Sequence, residues 1–286
     1  MNTILVLFSA ITIGISCAIV GTYTMLYKKA LVSDALAHAT LPGIALGFFI
    51  AYYAGLNDGR FLPLLLAGGA FSGYLCSKSI NWVKNHTRLH DDSAIASSLA
   101  FYFAFGLLLF SIIQNLESAG KSGLDNFLFG QIAGTTQLDA LFLIMASACV
   151  LAICIFKHKD FFFFAFDKEF SALYSLRKDR TMNLLSILMV VAICLGLKTI
   201  GAILIMAMLI IPPAIGRLLS NNIQSILVIS ILSAIAGSLI GAITSLYVEN
   251  LPTGPAIIIS LSILFLLSFT VNILQKAFHV TRFHQH

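Results

Sequence analysis

The sequence predicts an all-α polytopic membrane protein with eight or nine membrane-crossing helices. Three observations carry that prediction. Hydrophobic residues make up 59% of the 286-residue chain and charged residues only 10%, whereas about a quarter of a soluble domain is charged. The mean hydropathy is +0.96. Apolar stretches recur along the whole chain, most of them near the roughly 20 residues that a helix needs to cross a bilayer core. So few charges leave no means of covering a soluble surface. The formal net charge of +5 is therefore read loop by loop as a topology signal, not as a nucleic-acid footprint.

The elements follow in order. Residues 3–27 are apolar for longer than the core of a secretory signal, and no Lys or Arg precedes them, so they read as a retained span. Residues 31–55, 61–83, 93–114 and 136–156 supply the next four. The stretch 184–197 is short and only Lys198 separates it from 199–219; fused, the two would make the count eight. Residues 225–248 and 255–275 complete the set. No repeat of 20–50 residues is visible. Cys17, Cys76, Cys149, Cys154 and Cys194 lie in apolar runs without metal-type spacing and read as small core residues.

Lys and Arg choose the orientation. Lys28, Lys29, Lys78, Lys84, Arg88, Lys157, Lys159, Lys168, Arg177, Lys178, Arg180, Arg217, Lys276 and Arg282 fall on one side, which leaves only Arg60, Lys121 and Lys198 of the 17 basic residues for the other. The basic side is expected to be cytoplasmic, with the N-terminus outside and the C-terminus inside. The longest polar loop, Lys157–Arg180, then lies in the cytoplasm. Phe161–Phe164, Phe166, Phe170, Leu173 and Tyr174 give it an apolar face. That face suits either a helix lying on the membrane surface or a docking helix for a cytoplasmic partner.

One pair of ionisable residues sits inside apolar sequence. In "SDALAHATLPGIALGF", Ser33–Phe48, Asp34 and His38 are four apart and share a helix face, with Cβ atoms roughly 6 Å apart. A carboxylate and an imidazole so placed can hold one divalent cation. Pro42 cannot donate to the His38 carbonyl and predicts a break in the helix, of the kind tolerated at membrane depth where backbone lines a cavity. An intramembrane ionisable residue costs on the order of 2.5–3.5 kcal/mol on insertion scales, so two on one face point to function. The competing account makes Asp34 an interfacial cap and His38 a satisfied core residue.

Other signals are weaker. "GKS" at Gly120–Ser122 lacks the earlier glycine of a phosphate loop, where Asn115 stands instead, so the chain shows no ATP site of its own. "HTRLHDD", His86–Asp92, reads as a solvated loop, and His279, His284 and His286 as a polar tail. Gly43 and Gly47 form a small-xxx-small pair suited to close helix packing. Neither HExxH nor GxSxG occurs, against the corresponding hydrolase chemistries.

The Ser33–Phe48 segment resembles the "GDALSHAVLPGIALGF" block of the manganese/zinc/iron permeases of bacterial ABC uptake systems. Four further blocks follow in the family's order. "LDNFLFGQI" (Leu124–Ile132) is similar to "LxxYLFGNI", and "FDKEFSALYSL" (Phe166–Leu176) to "FDPELARVLGL". "KTIGAILIMAMLIIPPAIGRLL" (Lys198–Leu219) is similar to "xxVGxLLVxALLIxPAATARLL", and "SLYVENLPTGPAIII" (Ser245–Ile259) to "SYYLDLPSGAAIVL". The resemblance implies a type II, vitamin-B12-importer-like helical fold and one permease domain over residues 1–286, with a coupling segment at about 157–183. It implies a permease, not an enzyme, in the bacterial cytoplasmic (inner) membrane. Two permease subunits, identical or paralogous, would pair with cytoplasmic ATPases, receive metal from an extracytoplasmic binding protein and contact membrane lipid but no nucleic acid. Mn, Zn or Fe would be cargo, with no permanently bound cofactor. Asp34 and His38 match the family's metal ligands. Phe166, Asp167, Glu169, Ser171, Ser175 and Leu176 match the ATPase-coupling segment. Ser171, Ser175, Ala37, Pro213 and Gly216 depart from the usual residues, and Ala37 removes a hydroxyl beside His38. A gradient-driven secondary metal transporter without an ATPase is the alternative.

Overall fold

A computed structural model describes residues 2–56, 61–115, 137–166, 178–199, 201–247 and 253–283. The described residues form ten helices: α1 (Asn2–Leu26), α2 (Ala30–Tyr53), α3 (Leu62–His86), α4 (Asp91–Gln114), α5 (Gln137–Phe156), α6 (His158–Phe166), α7 (Lys178–Thr199), α8 (Ala202–Leu219), α9 (Ile223–Tyr247) and α10 (Thr253–Phe283). All but α6 are long, and they fall on the nine apolar stretches. Five, within α2, α4, α7, α9 and α10, are long and apolar enough to cross a membrane, and shorter apolar runs lie in α1, α5 and α8. The helix α3 is more polar, with Lys78, Lys84 and five serines and asparagines along its length.

The helix ends have local causes. Pro63 opens α3, where its missing N–H costs nothing. Asp91 and Asp92 occupy the first turn of α4, and Lys84 and His86 the last turn of α3, each matched in sign to the helix dipole. The separation of α7 from α8 settles the ninth helix. Gly201 has φ +84°, a left-handed backbone that a helix does not continue through, and α7 begins as early as Lys178. The predicted break at Pro42 does not occur: α2 runs continuously from Ala30 to Tyr53. Gly106 of α4 lies against the proline, so that a Cβ there would meet Leu41 and Pro42 at 3.0 Å. Packing on both flanks holds the helix together where one backbone bond is missing. Pro212 and Pro213 are likewise carried inside α8.

The packing centres on α2, which joins α3 and α4 and also touches α7 and α8. In its most apolar window 72% of residues are buried, against 22% in α4 and 17% in α10, so those two helices form the outer faces. A second group is built on α1, which contacts α5, α7, α8 and α9, while α10 closes on α8 and α9. With no hydrophobic drive between helices in lipid, close approach is what holds them. At the α2–α3 crossing a Cβ on Gly43 would lie 2.0 Å from the Gly68 carbonyl oxygen, and one on Gly68 would lie 2.2 Å from that of Gly43. The small-residue pair is thus a packing device, as expected. Four of the five cysteines are buried core residues, and Cys149 is exposed instead.

The basic junctions gather at one end. Lys28, Lys29, Lys84, Asn81, Asp91 and Asp92 share one cleft, with Lys84 and Asp91 paired at 2.5 Å. Nearby on the chain, the Tyr23 hydroxyl lies 2.6 Å from His158 Nδ1 and Tyr27 donates to the Phe161 carbonyl at 2.6 Å. These bonds fasten α6 to the end of α1 that leads into the Lys28–Lys29 turn.

Candidate functional site

Helix α2 carries one carboxylate and one imidazole, Asp34 and His38. Their i,i+4 spacing brings His38 Nε2 to 3.6 Å from Asp34 Oδ1. That is longer than a direct charge-assisted hydrogen bond, which runs about 2.7–2.9 Å. It is close to the ~3.4 Å that separates two ligands on one tetrahedral cation with bonds of about 2.1 Å. The spacing is compatible with two ligands on one ion. Asp34 is the fifth residue of α2 and His38 the ninth, which at 1.5 Å rise puts them about 6 and 12 Å from the helix start. They lie in its first third, toward the basic end of the bundle.

The side chains are partly open, 40% for Asp34 and 27% for His38. This is unusual on a helix otherwise so buried, and it places the pair on a wall, not in a closed core. The two nitrogens of His38 differ. Nδ1 is buried and has no hydrogen-bond partner among the described residues, which is not the arrangement of a satisfied core histidine. The Phe103 ring of α4 meets the imidazole edge-on, with centroids 4.7 Å apart and planes at 65°. One turn on, the missing N–H of Pro42 leaves the His38 carbonyl without its usual helical donor. The neighbouring Ala39 carbonyl accepts a 2.7 Å bond from Ser72 of α3. Thr40 bonds back to Ala37 at 2.7 Å.

Chemically the pair offers one anionic oxygen ligand and one neutral nitrogen ligand. No group of three or more His, Cys, Asp or Glu side chains is assembled among the described residues. A two-ligand site suits an ion that arrives with water and leaves again. A structural zinc site takes four protein ligands.

The remaining sequence candidates divide. Phe166 is the last residue of α6; Asp167, Glu169, Ser171, Ser175 and Leu176 lie outside the described residues, as do Gly120–Ser122 and Leu124–Ile132. The His86–Asp92 stretch is exposed. His86 stacks on Trp82 at 4.9 Å and its Nδ1 lies 2.9 Å from the Trp82 carbonyl, an arrangement that serves the end of α3. Phe103, Ser72 and Gly106 were missed from sequence. Each is an ordinary residue within an apolar run, and only the helix packing brings Phe103 to His38, Ser72 to Ala39 and Gly106 to Pro42.

Comparison with known proteins gives the family of the chain. The chain is 32% identical over 267 residues to the manganese transport system membrane protein MntC of Bacillus subtilis, covering 93% of this chain and 60% of that one. It is 32% identical to a probable iron transport system membrane protein of Haemophilus influenzae, covering 93% and 92%. It is 29% identical to the zinc transport system membrane protein TroC of Treponema pallidum, covering 93% and 88%. Among solved structures, a chain of PsaBC from Streptococcus pneumoniae in complex with Fab superposes with a TM-score of 0.79 at 26% identity, over 92% of this chain and 89% of that one. An inward-facing metal-chelate type ABC transporter shares the fold with a TM-score of 0.67, over 92% and 85%. The model of the ABC 3 transport family matches residues 2–272, and the chain belongs to that family.

Proposed function

We propose that the chain is the membrane permease subunit of an ATP-driven importer of divalent transition-metal ions, with Asp34 and His38 as a transient metal station on the translocation path. The observation that carries the reading is the 3.6 Å carboxylate–imidazole pair, partly open on the most buried of the five long apolar helices. A transport site must bind well enough to strip water and weakly enough to release, and two side-chain ligands meet both demands. The manganese, iron and zinc systems named for the relatives define the cargo class. Carboxylate with imidazole accepts all three metals, whose affinities follow the Irving–Williams order.

ATP is hydrolysed by separate cytoplasmic subunits that dock at the segment Phe166–Leu176, which follows α6 in the chain. Ionisable groups open at membrane depth need a polar or protein cover. A second permease subunit against the Asp34–His38 face supplies that cover and a second pair of ligands. An extracytoplasmic binding protein delivers the ion to the opposite end. The assembly sits in the bacterial cytoplasmic membrane.

The test is uptake of radioactive Mn²⁺ or Zn²⁺ into proteoliposomes holding the permease with its ATPase. Uptake should require ATP, and Asp34→Asn should reduce it at least tenfold while assembly with the ATPase is retained. Uptake at the wild-type rate by an assembled Asp34→Asn transporter would remove the metal station.

A further inference from the structure

We propose that Phe103 is a positioning residue for metal recognition: its ring walls off the Nδ1 side of the His38 imidazole and leaves Nε2 as the nitrogen presented beside Asp34. The inference rests on Asp34 and His38 being the metal station.

A metal-binding histidine ordinarily fixes its ring by donating its second N–H to a carboxylate, carbonyl or water, and loss of such a partner costs about 10–100-fold in metal affinity. Among the described residues Nδ1 has no such acceptor, and the atom is buried. Something else has to hold the ring. The Phe103 ring is at 4.7 Å and 65°, within the edge-to-face geometry that aromatic rings prefer. Phe103 is held near His38 because, one turn further along α4, Gly106 packs so closely on α2 that a Cβ there would meet Leu41 and Pro42 at 3.0 Å. The glycine–proline contact sets the α2–α4 spacing, and the spacing sets the ring contact.

Nε2 is consequently the nitrogen left for the ion, 3.6 Å from Asp34 Oδ1. A ring oriented by packing also lacks, among the described residues, the second hydrogen bond that fixes a permanent metal ligand. Such a ligand favours release, as a transport station requires.

The experiment measures uptake of Mn²⁺ and of Zn²⁺, each alone, into proteoliposomes holding the assembled transporter. Wild type is compared with Phe103→Leu, Phe103→Met, Phe103→Tyr, Asp34→Asn and a packing control, Phe110→Leu, whose side chain is buried elsewhere on α4. Phe103→Leu and Phe103→Met should raise KM for both metals about tenfold with Vmax within about twofold. Phe103→Tyr, which keeps the ring, should restore the wild-type KM. Phe110→Leu should lower the yield of complex and leave KM alone. The proposal is overturned if the assembled Leu or Met variant has a wild-type KM, if Tyr fails to restore it, or if neither Leu nor Met assembles, which would make Phe103 a packing residue. Loss of uptake in Asp34→Asn together with any of those results leaves the metal station standing and removes Phe103 alone. Wild-type uptake by Asp34→Asn removes the station itself.

Discussion

A single methyl group at the α2–α3 crossing should be enough to part the helices beside the proposed station. In Gly43→Ala the new Cβ would sit 2.0 Å from the Gly68 carbonyl oxygen, 2.5 Å from its carbon and 2.6 Å from Ser72 Cβ. Ordinary contact needs roughly 3.3–3.5 Å, so the backbones must separate by about 1.3 Å. Two of the three clashing atoms are backbone, so rotamer changes offer no relief. Overpacking of this kind costs about 1–3 kcal/mol. The same displacement stretches the 2.7 Å bond from Ser72 to the Ala39 carbonyl, worth about 1 kcal/mol more. A total of about 2–4 kcal/mol lowers the folded-to-unfolded ratio by roughly 30- to 1000-fold. The assay is thermal unfolding of the detergent-purified protein, with Gly14→Ala as reference. At Gly14 the nearest atoms are the Ser238 hydroxyl at 3.3 Å and the flexible Met208 tip at 3.6 Å, and the change there should be small. If Gly43→Ala and Gly14→Ala unfold at the same temperature, the two helices do not cross as closely as described, and the argument from small residues fails.

Three further outcomes test other parts of the account. In a background with Cys149 changed to Ser, Lys168→Cys should react with membrane-impermeant maleimide only after the membrane is opened and Lys121→Cys in intact cells; the reverse pattern inverts the topology. Asp167→Lys with Glu169→Lys should uncouple ATP hydrolysis from metal uptake and leave metal binding unchanged; unaltered metal-stimulated ATPase activity returns the segment to a surface helix. Tyr23→Phe deletes the 2.6 Å contact with His158 Nδ1 and should destabilise the protein by about 1–2 kcal/mol, whereas Tyr74→Phe on α3, outside that contact, should not shift the unfolding temperature.

The fold was legible because membrane burial writes itself into composition. Nine apolar stretches became nine long helices with ends moved by a few residues. The larger errors have one cause, the neglect of neighbours. Pro42 predicts a break when α2 is considered alone, because the bond it removes is counted and the flanks are not. With Gly106 on one side and the Gly43–Gly68 crossing on the other, an alternative path for the backbone has no space, and the helix continues. The stretch 184–197 looked too short because its first turn is polar; Lys178 to Asn183 are helical all the same, at the end where the basic junctions lie and polar residues carry no lipid penalty.

The candidate site was half legible for the same reason. Asp34 and His38 announce themselves because an acid and an imidazole in apolar sequence are costly, and a four-residue interval on a helix leaves their neighbourhood in no doubt. What surrounds them carries no such mark. Phe103 is one of 23 phenylalanines, and Ser72 is one of many small hydroxyl residues that bond within or between helices. Their roles come from the parallel run of α2 and α4 and from the crossing of α2 with α3, which are properties of the packed bundle. The polar pair also explains why those crossings are so close. A helix that carries two ionisable groups toward a path must be fixed by its other faces, and in lipid that fixing comes from contact distance and interhelical hydrogen bonds. Glycines on two sides of α2, at the Gly43–Gly68 crossing with α3 and at Gly106 of α4, give that contact, and the Ser72–Ala39 bond adds direction. Residues that look structural by chemistry thus set where Asp34 and His38 stand.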